Sequence, residues 1–283
     1  MRNDKLDDRM KEYERVTRHY LTKRMPVIIR IDGKAFHTFT KGFEKPFDEV
    51  MVNTMQDTMK YLCENIENCV LGYTQSDEIT LVLCDYKTLT SQSWFNNNLQ
   101  KLCSVSASMA TMAFNKFFEE NTEEWNDNEF SKVEIDGVDI VNIEQHERWF
   151  SYNSAHNSAC VKGAMFDSRA FNIPKEEVNN CLIWRQEDAA RNSIQSIAQA
   201  NFKCEQLDGK NQNELQEMLW QEKGINWNDY PTHLKRGSCC IRIAETKINE
   251  KGEPYIRQKW VIDSDIPIFS KDPSYVNNRI NFE

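Results

Sequence analysis

The run Val27-Ile28-Ile29-Arg30-Ile31 constrains this chain more than any other feature, and it stops on Asp32-Gly33. β-Branched side chains pack well on a pleated surface, so the run reads as a buried strand, and Asp-Gly marks a tight turn at its exit. A carboxylate at the end of a buried strand is costly unless its charge is paired or used. The arrangement recurs once. Val70 to Tyr73 and Glu78 to Cys84 read as a hairpin joined by Thr74-Gln75-Ser76-Asp77, which sets a second aspartate at a second strand end.

The rest of the chain is read by periodicity. Leu6, Met10, Tyr13, Val16 and Tyr20 recur at helical spacing in a charged segment spanning 4 to 22, which Pro26 ends. Asp48 has the place of an N-cap before a helix between the two aspartate motifs. Residues 95 to 118 predict a long helix rich in small residues, and 119 to 149 an acidic surface insertion with Asp136-Gly137 as an exposed hairpin. Residues 160 to 174 read as strand and loop; helices are expected from Pro174 to about Phe202 and over 212 to 223. Segments 239 to 246 and 254 to 263 alternate like an antiparallel pair, and the tail beyond Pro267 reads as irregular. The expected class is α/β, of α+β type, with helices flanking an antiparallel sheet.

With 283 residues the chain can bury one large core or two smaller ones. Its charged start and the lack of any apolar run near the ~18 residues of a membrane span set the expectation of a cytoplasmic protein that engages no membrane. Nine cysteines without a CxxC pair read as reduced and mostly buried, and five histidines lack ligand spacing. The net charge of −9 is uneven: residues 119 to 149 hold eleven acids against Lys132 and Arg148, which is the whole excess. Residues 1 to 45 hold twelve Lys and Arg against seven acids, so a basic face that takes nucleic acid is compatible with the acidic total.

Two carboxylates brought together at strand ends hold Mg2+, and a pair of such ions serves in-line phosphoryl transfer. Gly33 suits this chemistry, because a residue without Cβ lets its carbonyl approach a metal and the next amides approach phosphates. On residues alone a second reading stays open, in which Asp32 and Asp77 are turn residues. Glu78 points to the other face of its strand and is read equally as catalytic or as an ion-pair partner.

RIDGKAFHTFTKGFEKPFD, GYTQSDEITLVL, FDSRAF and WRQEDAARNS together resemble the tRNA-His guanylyltransferase family over residues 4 to about 240. The C-terminal part is more similar to its tRNA-repair branch, the guanylyltransferase-like 3′-to-5′ polymerases. The resemblance implies a palm-like core related to polymerases and cyclases, in 1–150, with the rest of the sheet and a family-specific helical and hairpin region in 151–283, packed as one unit. A homotetramer is implied. It also implies ATP and GTP or another NTP as substrates, two Mg2+ ions and tRNA as partner. Asp32, Asp77 and Glu78 would be catalytic, with Asp32, Gly33 and Asp77 as metal ligands. Asp32, Gly33, Lys34, Ala35, Phe36, His37, Ser76 and Asp77 would bind the nucleotide. Lys45, Lys101, Arg185, Asn192, Lys235 and Arg236 match positions facing RNA, although the basic cluster usual before Lys101 is Asn96-Asn97-Asn98 here.

The activity implied is nucleotide addition to the 5′ end of tRNA. In the branch that adds an untemplated guanosine, WRQxD is followed by Cys-His-Ile-Asn-Asn-Leu-Tyr-Asn, and only Asn192 of that run survives across 189–196. Templated repair of 5′-truncated tRNA is therefore the expected reaction, with guanosine addition to tRNA-His as the alternative. A cyclase-like palm and a non-catalytic RNA-binding module are the remaining readings.

Overall fold

The computed structural model describes residues 4–135, 143–248 and 252–282. Strands β1 (Val27–Gly33), β2 (Cys69–Gln75), β3 (Glu78–Leu83), β4 (Phe166–Asn172), β5 (Ser238–Ile248) and β6 (Pro254–Asp263) form one sheet. Their order is β4-β1-β3-β2-β5-β6 and every neighbouring pair is antiparallel. Both halves of the sequence thus contribute strands to a single sheet.

The helices are α1 (Asp4–Val16), α2 (Phe36–Phe39), α3 (Glu49–Asn65), α4 (Leu99–Ile135), α5 (Ile143–Lys162), α6 (Val178–Asn201), α7 (Cys204–Leu207), α8 (Gln212–Lys223), α9 (Thr232–Arg236) and α10 (Ser274–Ile280). Alternation along β1 decides the layers. Val27, Ile29 and Ile31 pack with Met59 and Leu62 of α3 and Phe114 and Phe118 of α4. Ile28 faces the other way, with Val178 and Leu182 of α6 and Val276 and Ile280 of α10. Helices on both faces explain why β1 and β3 read as near-continuous apolar runs. Among the described residues no helix is long and apolar enough to cross a membrane.

Local chemistry starts α3 as expected: Asp48 is its N-cap and accepts from the Met51 amide at 2.9 Å. An aromatic cluster holds the turn after β1. Phe36 lies 5.1 Å from Phe39, 5.4 Å from Phe114 and 5.1 Å from Phe166 between ring centres. Cys63 of α3 is buried with Cys69 of β2 and Cys240 of β5, and Gly72 makes room for it, since a Cβ there would stand 2.5 Å from Cys63 Sγ. Burial, with hydrogen bonding to Cys240 and Cys69, pushes the Cys63 thiol well up; burial also drives Cys84 up to about 12.

Several boundaries differ from the sequence reading. α4 continues through the acidic stretch to Ile135, because Phe118 and Thr122 stay buried and Trp125 packs 4.1 Å from Tyr152 of α5. The Asp136-Gly137 hairpin lies outside the described residues. Residues 160–162 belong to α5 instead of a strand. α1 ends at Val16, and Tyr20 forms an isolated bridge with Asn98. The tail holds α10, whose Val276 and Ile280 are too few to register as a period yet fill the second core layer.

Gly237 joins α9 to β5 at φ +83°, and a Cβ there would lie 2.4 Å from the Thr74 carbonyl oxygen and 2.9 Å from the Tyr73 ring. Gly237→Ala should therefore lower unfolding free energy by about 1–3 kcal/mol. Urea denaturation monitored by tryptophan fluorescence checks this, with the midpoint falling and the m-value unchanged.

Candidate active site

The two aspartate motifs meet through backbone pairing. β1 and β3 lie side by side with Asp32 opposite Glu78, and the Gly33 amide donates to the Asp77 carbonyl at 3.1 Å. The turn at Ser76 needs a positive φ of 51°, and the Ser76 hydroxyl donates to Asp77 Oδ1 at 3.1 Å. Burial pushes the Asp77 carboxyl above its ordinary range. Hydrogen bonds from its own amide and from Ser76 pull it back, and the Asp32 charge raises it again. Two carboxylates repel across this junction, an arrangement that a divalent cation relieves.

Sequence reasoning gave no role to two further residues here. β4 pairs with β1 so that Asp167 stands opposite Asp32, and Arg169 reaches Asp32 at 3.7 Å and Asp167 at 3.6 Å. The signal was present in FDSRAF: once that strand pairs antiparallel with β1, its aspartate falls at the carboxylate end of the sheet. Among the described residues no three His, Cys, Asp or Glu side chains are gathered as a ready metal site. The hard oxygen donors of Asp32 and Asp77 suit Mg2+, which keeps open positions for substrate phosphates and needs no all-protein cage.

The segment after β1 is tightly folded. The Lys34 amide donates to the Met165 carbonyl at 2.8 Å, and Ala35 takes a left-handed conformation at φ 54° before α2. Gly33 is required for packing too, because a Cβ would fall 2.2 Å from the Phe36 ring. Phe36 thereby turns into the core and has no side chain to offer a nucleotide, whereas Lys34 and His37 are exposed.

Glu78, across from Asp32 on the same face of the sheet, is committed to different partners. Its carboxylate lies 3.1 Å from Arg185 Nε and 3.8 Å from Arg30 Nε, and both Glu78 and Arg185 are nearly buried. Burial pushes the Glu78 carboxyl up against the pull of Arg185 and Arg30. The geometry is that of an ion-pair partner, one of the two readings of its position. Arg185 also binds Asp188 at 2.5 Å, and Arg191 joins the same carboxylate. Burial alone would raise Asp188; the bonds from Arg185 and Arg191 outweigh it and hold the group below its ordinary value. The guanidinium groups of Arg185 and Arg30 lie 4.1 Å and 5.3 Å from the centre of the Trp184 ring. Arg185 is therefore committed within the protein and is not a free contact for RNA.

The remaining RNA candidates divide in two. Lys45, Lys101 and Asn192 are exposed, Lys101 beside the Phe95 ring at 5.5 Å. Asn97 donates to the Thr22 carbonyl at 3.2 Å, so the Asn96–Asn98 run clasps the segment after α1. Lys235 is turned inward: it is 8% exposed, donates to the Asn228 carbonyl at 2.6 Å and lies 5.7 Å from the Trp227 ring centre. Burial and the neighbouring Arg236 charge lower its pKa. Arg236 is half-buried, its carbonyl accepting from the Tyr73 hydroxyl at 2.7 Å.

The profile of the Thg1 family, described as tRNAHis guanylyltransferase, matches residues 7–174. A bacterial tRNA(His) guanylyltransferase (Thg1)-like protein in complex with ATP aligns with a TM-score of 0.78 and 41% identity, over 98% of this chain and 100% of that one. The complex with GTP aligns with a TM-score of 0.73 and 40% identity, over 98% and 99%. The tRNA(His) guanylyltransferase of Saccharomyces cerevisiae is 29% identical over 237 residues, covering 77% of this chain and 83% of its own length. These names fit guanosine addition, the alternative from the sequence, better than templated repair.

Two outcomes follow from the charge layout. Arg185→Met should lower unfolding free energy by about 3 kcal/mol, because it leaves Glu78 buried with a weaker partner. The double variant with Glu78→Gln should recover part of that loss in the same denaturation series. If Lys45 meets an RNA phosphate, Lys45→Ala shallows the slope of log K against log salt by about 0.7–0.9, whereas Lys235→Met leaves the slope unchanged.

Proposed function

The chain belongs to the tRNAHis guanylyltransferase family and is a nucleotidyltransferase, and on that premise we propose that it adds guanosine to the 5′ end of a tRNA in the 3′-to-5′ direction, using ATP and GTP. The observation that carries this reading is the amide of Gly33 bonded to the carbonyl of Asp77, which fixes the Asp32 and Asp77 carboxylates at one end of the sheet. Asp32, Asp77 and the Gly33 carbonyl would hold Mg2+, which when bound supplies charge neutralisation for phosphoryl transfer.

The chemistry balances in two steps. A 5′-monophosphate oxygen attacks the α-phosphorus of ATP and pyrophosphate leaves, giving an adenylylated end. The 3′-hydroxyl of GTP then attacks the 5′ phosphorus, and AMP departs. In both steps negative charge grows on phosphoryl oxygens, which Arg169, 3.7 Å from Asp32, and the exposed Lys34 and His37 of the segment after β1 would offset. Asp167 keeps Arg169 divided between two carboxylates, so its guanidinium is available when a phosphate competes for it.

A second reading, templated repair of a truncated 5′ end, is favoured by the residues after WRQxD. Ala189 is buried, and Ser193 accepts from Trp227 Nε1 at 3.0 Å, so both are absorbed by the packing of α6. Asn192, exposed beside Asp188, is the one residue of the guanosine-adding motif that remains. Where the polar groups that would recognise a particular tRNA are missing, pairing with the opposite base is left to choose the nucleotide.

Asp32→Ala and Asp77→Ala should each abolish adenylylation and nucleotide addition while the fold persists. Incubation with 5′-truncated tRNA, ATP, GTP and Mg2+ reads both steps, and retained activity in either variant at saturating Mg2+ would refute the assignment. Varying the template base separates the two substrates: guanosine added to tRNA-His whatever the opposite base supports the first reading, and incorporation that follows the Watson–Crick partner supports the second.

A further inference from the structure

A cleft of about 830 Å3 lies between α2 and α5, with neither Asp32 nor Asp77 in its lining. One stripe of α5 forms a wall: Ser151, Ser154 and Ser158 recur at three- and four-residue spacing, and Lys162 follows one turn on. Thr38 and Lys41 form the facing wall. Phe150 also lines the cleft and is 66% exposed. Among the described residues no carboxylate lines it, and neither Lys41 nor Lys162 has an ion-pair partner.

Both walls connect directly to the loop after β1. Thr38 follows His37 in α2. Lys162 leads through Gly163 and Ala164 to Met165, whose carbonyl accepts the Lys34 amide. Both walls of the cleft are therefore tied through the backbone to the segment expected to hold the nucleotide.

We infer that this cleft binds single-stranded RNA, the unpaired 3′-strand nucleotides that lie beside the 5′ end under reaction; the inference rests on the proposal that a tRNA 5′ end is the acceptor. Two cations without counter-ions call for phosphates, and serine hydroxyls at helical spacing donate to phosphate and ribose oxygens along a strand. An exposed phenyl ring stacks on an unpaired base, whereas the bases of a duplex have their faces already covered. The wall has no donor fork or planar fit for a particular base, so contact is with backbone and base face, independent of sequence.

The test is fluorescence anisotropy of the full chain with a short labelled oligouridylate and with duplex RNA of equal length, over a salt series. Lys41→Ala combined with Lys162→Ala should weaken single-strand binding about tenfold and shallow its salt slope by about 1.4, at about 0.7 per phosphate contact. Phe150→Ala, at an exposed position that spares the fold, should weaken it about fivefold with the slope unchanged. GTP affinity measured in parallel reports whether the carboxylate site persists. Unchanged single-strand affinity in both variants overturns the cleft assignment, and so does an equal loss of duplex binding. Nucleotide transfer to 5′ ends is scored separately. Its absence in the unmodified chain, with cleft-dependent binding retained, would refute the catalytic reading and leave the cleft as a single-strand site.

Discussion

The antiparallel pairing of β1 with β3 and β4 governs this molecule. It places Asp167, Asp32 and Glu78 across three adjacent strands in one row, with Arg169, Arg30 and Thr80 in the row behind. A shift of one residue in either register would move these side chains to the opposite face and bury carboxylates in the Ile29 and Ile31 layer. The apolar alternation of β1 therefore fixes the electrostatics as firmly as it fixes the core. The Gly33 amide then draws the Asp77 turn to the same edge, and the acidic end of the sheet is complete.

Such a concentration of charge needs support, and α6 gives much of it. Arg185 enters over the sheet to meet Glu78, while Asp188 and Trp184 hold the guanidinium in place. A buried ion pair contributes little net stability when intact, but losing one partner is expensive. Its value is positional: β3 and α6 cannot slide past one another without separating Glu78 from Arg185. The Arg169 side, by contrast, is half exposed and divided between two carboxylates, so the sheet edge is rigid on one flank and adaptable on the other.

Much of this was legible in the sequence, for identifiable reasons. The two aspartates stood at the ends of β-branched or alternating runs, and that pattern survives folding because pleat periodicity is strict. The helix after Asp48 declared itself through its cap. What stayed hidden depended on partners distant in sequence. Lys235 reads as a surface cation beside Arg236, and only the approach of Trp227 and the Asn228 carbonyl turns it inward. Phe36 sits in a motif that suggests ligand contact, but Phe39, Phe114 and Phe166 claim it for the core. The acidic stretch suggested a surface insertion, since charge dominates its composition. The buried stripe through Phe118 and Thr122 shows that α4 simply continues wherever α5 supplies a partner.

The thiols buried in the two core layers have a practical bearing on how the protein behaves in the hand. Thiolate is the form that alkylating agents and peroxides attack. Cys63, Cys69, Cys84, Cys239 and Cys240 are buried, and burial pushes up the thiols of the partly exposed Cys103, Cys160 and Cys181 as well, which disfavours the reactive form. Cys204, at the start of α7, is the one exposed cysteine of the nine. A chain this rich in sulfur thus offers electrophiles one preferred handle, far in sequence from the aspartates, at which a dye or spin label would attach first to the unaltered protein.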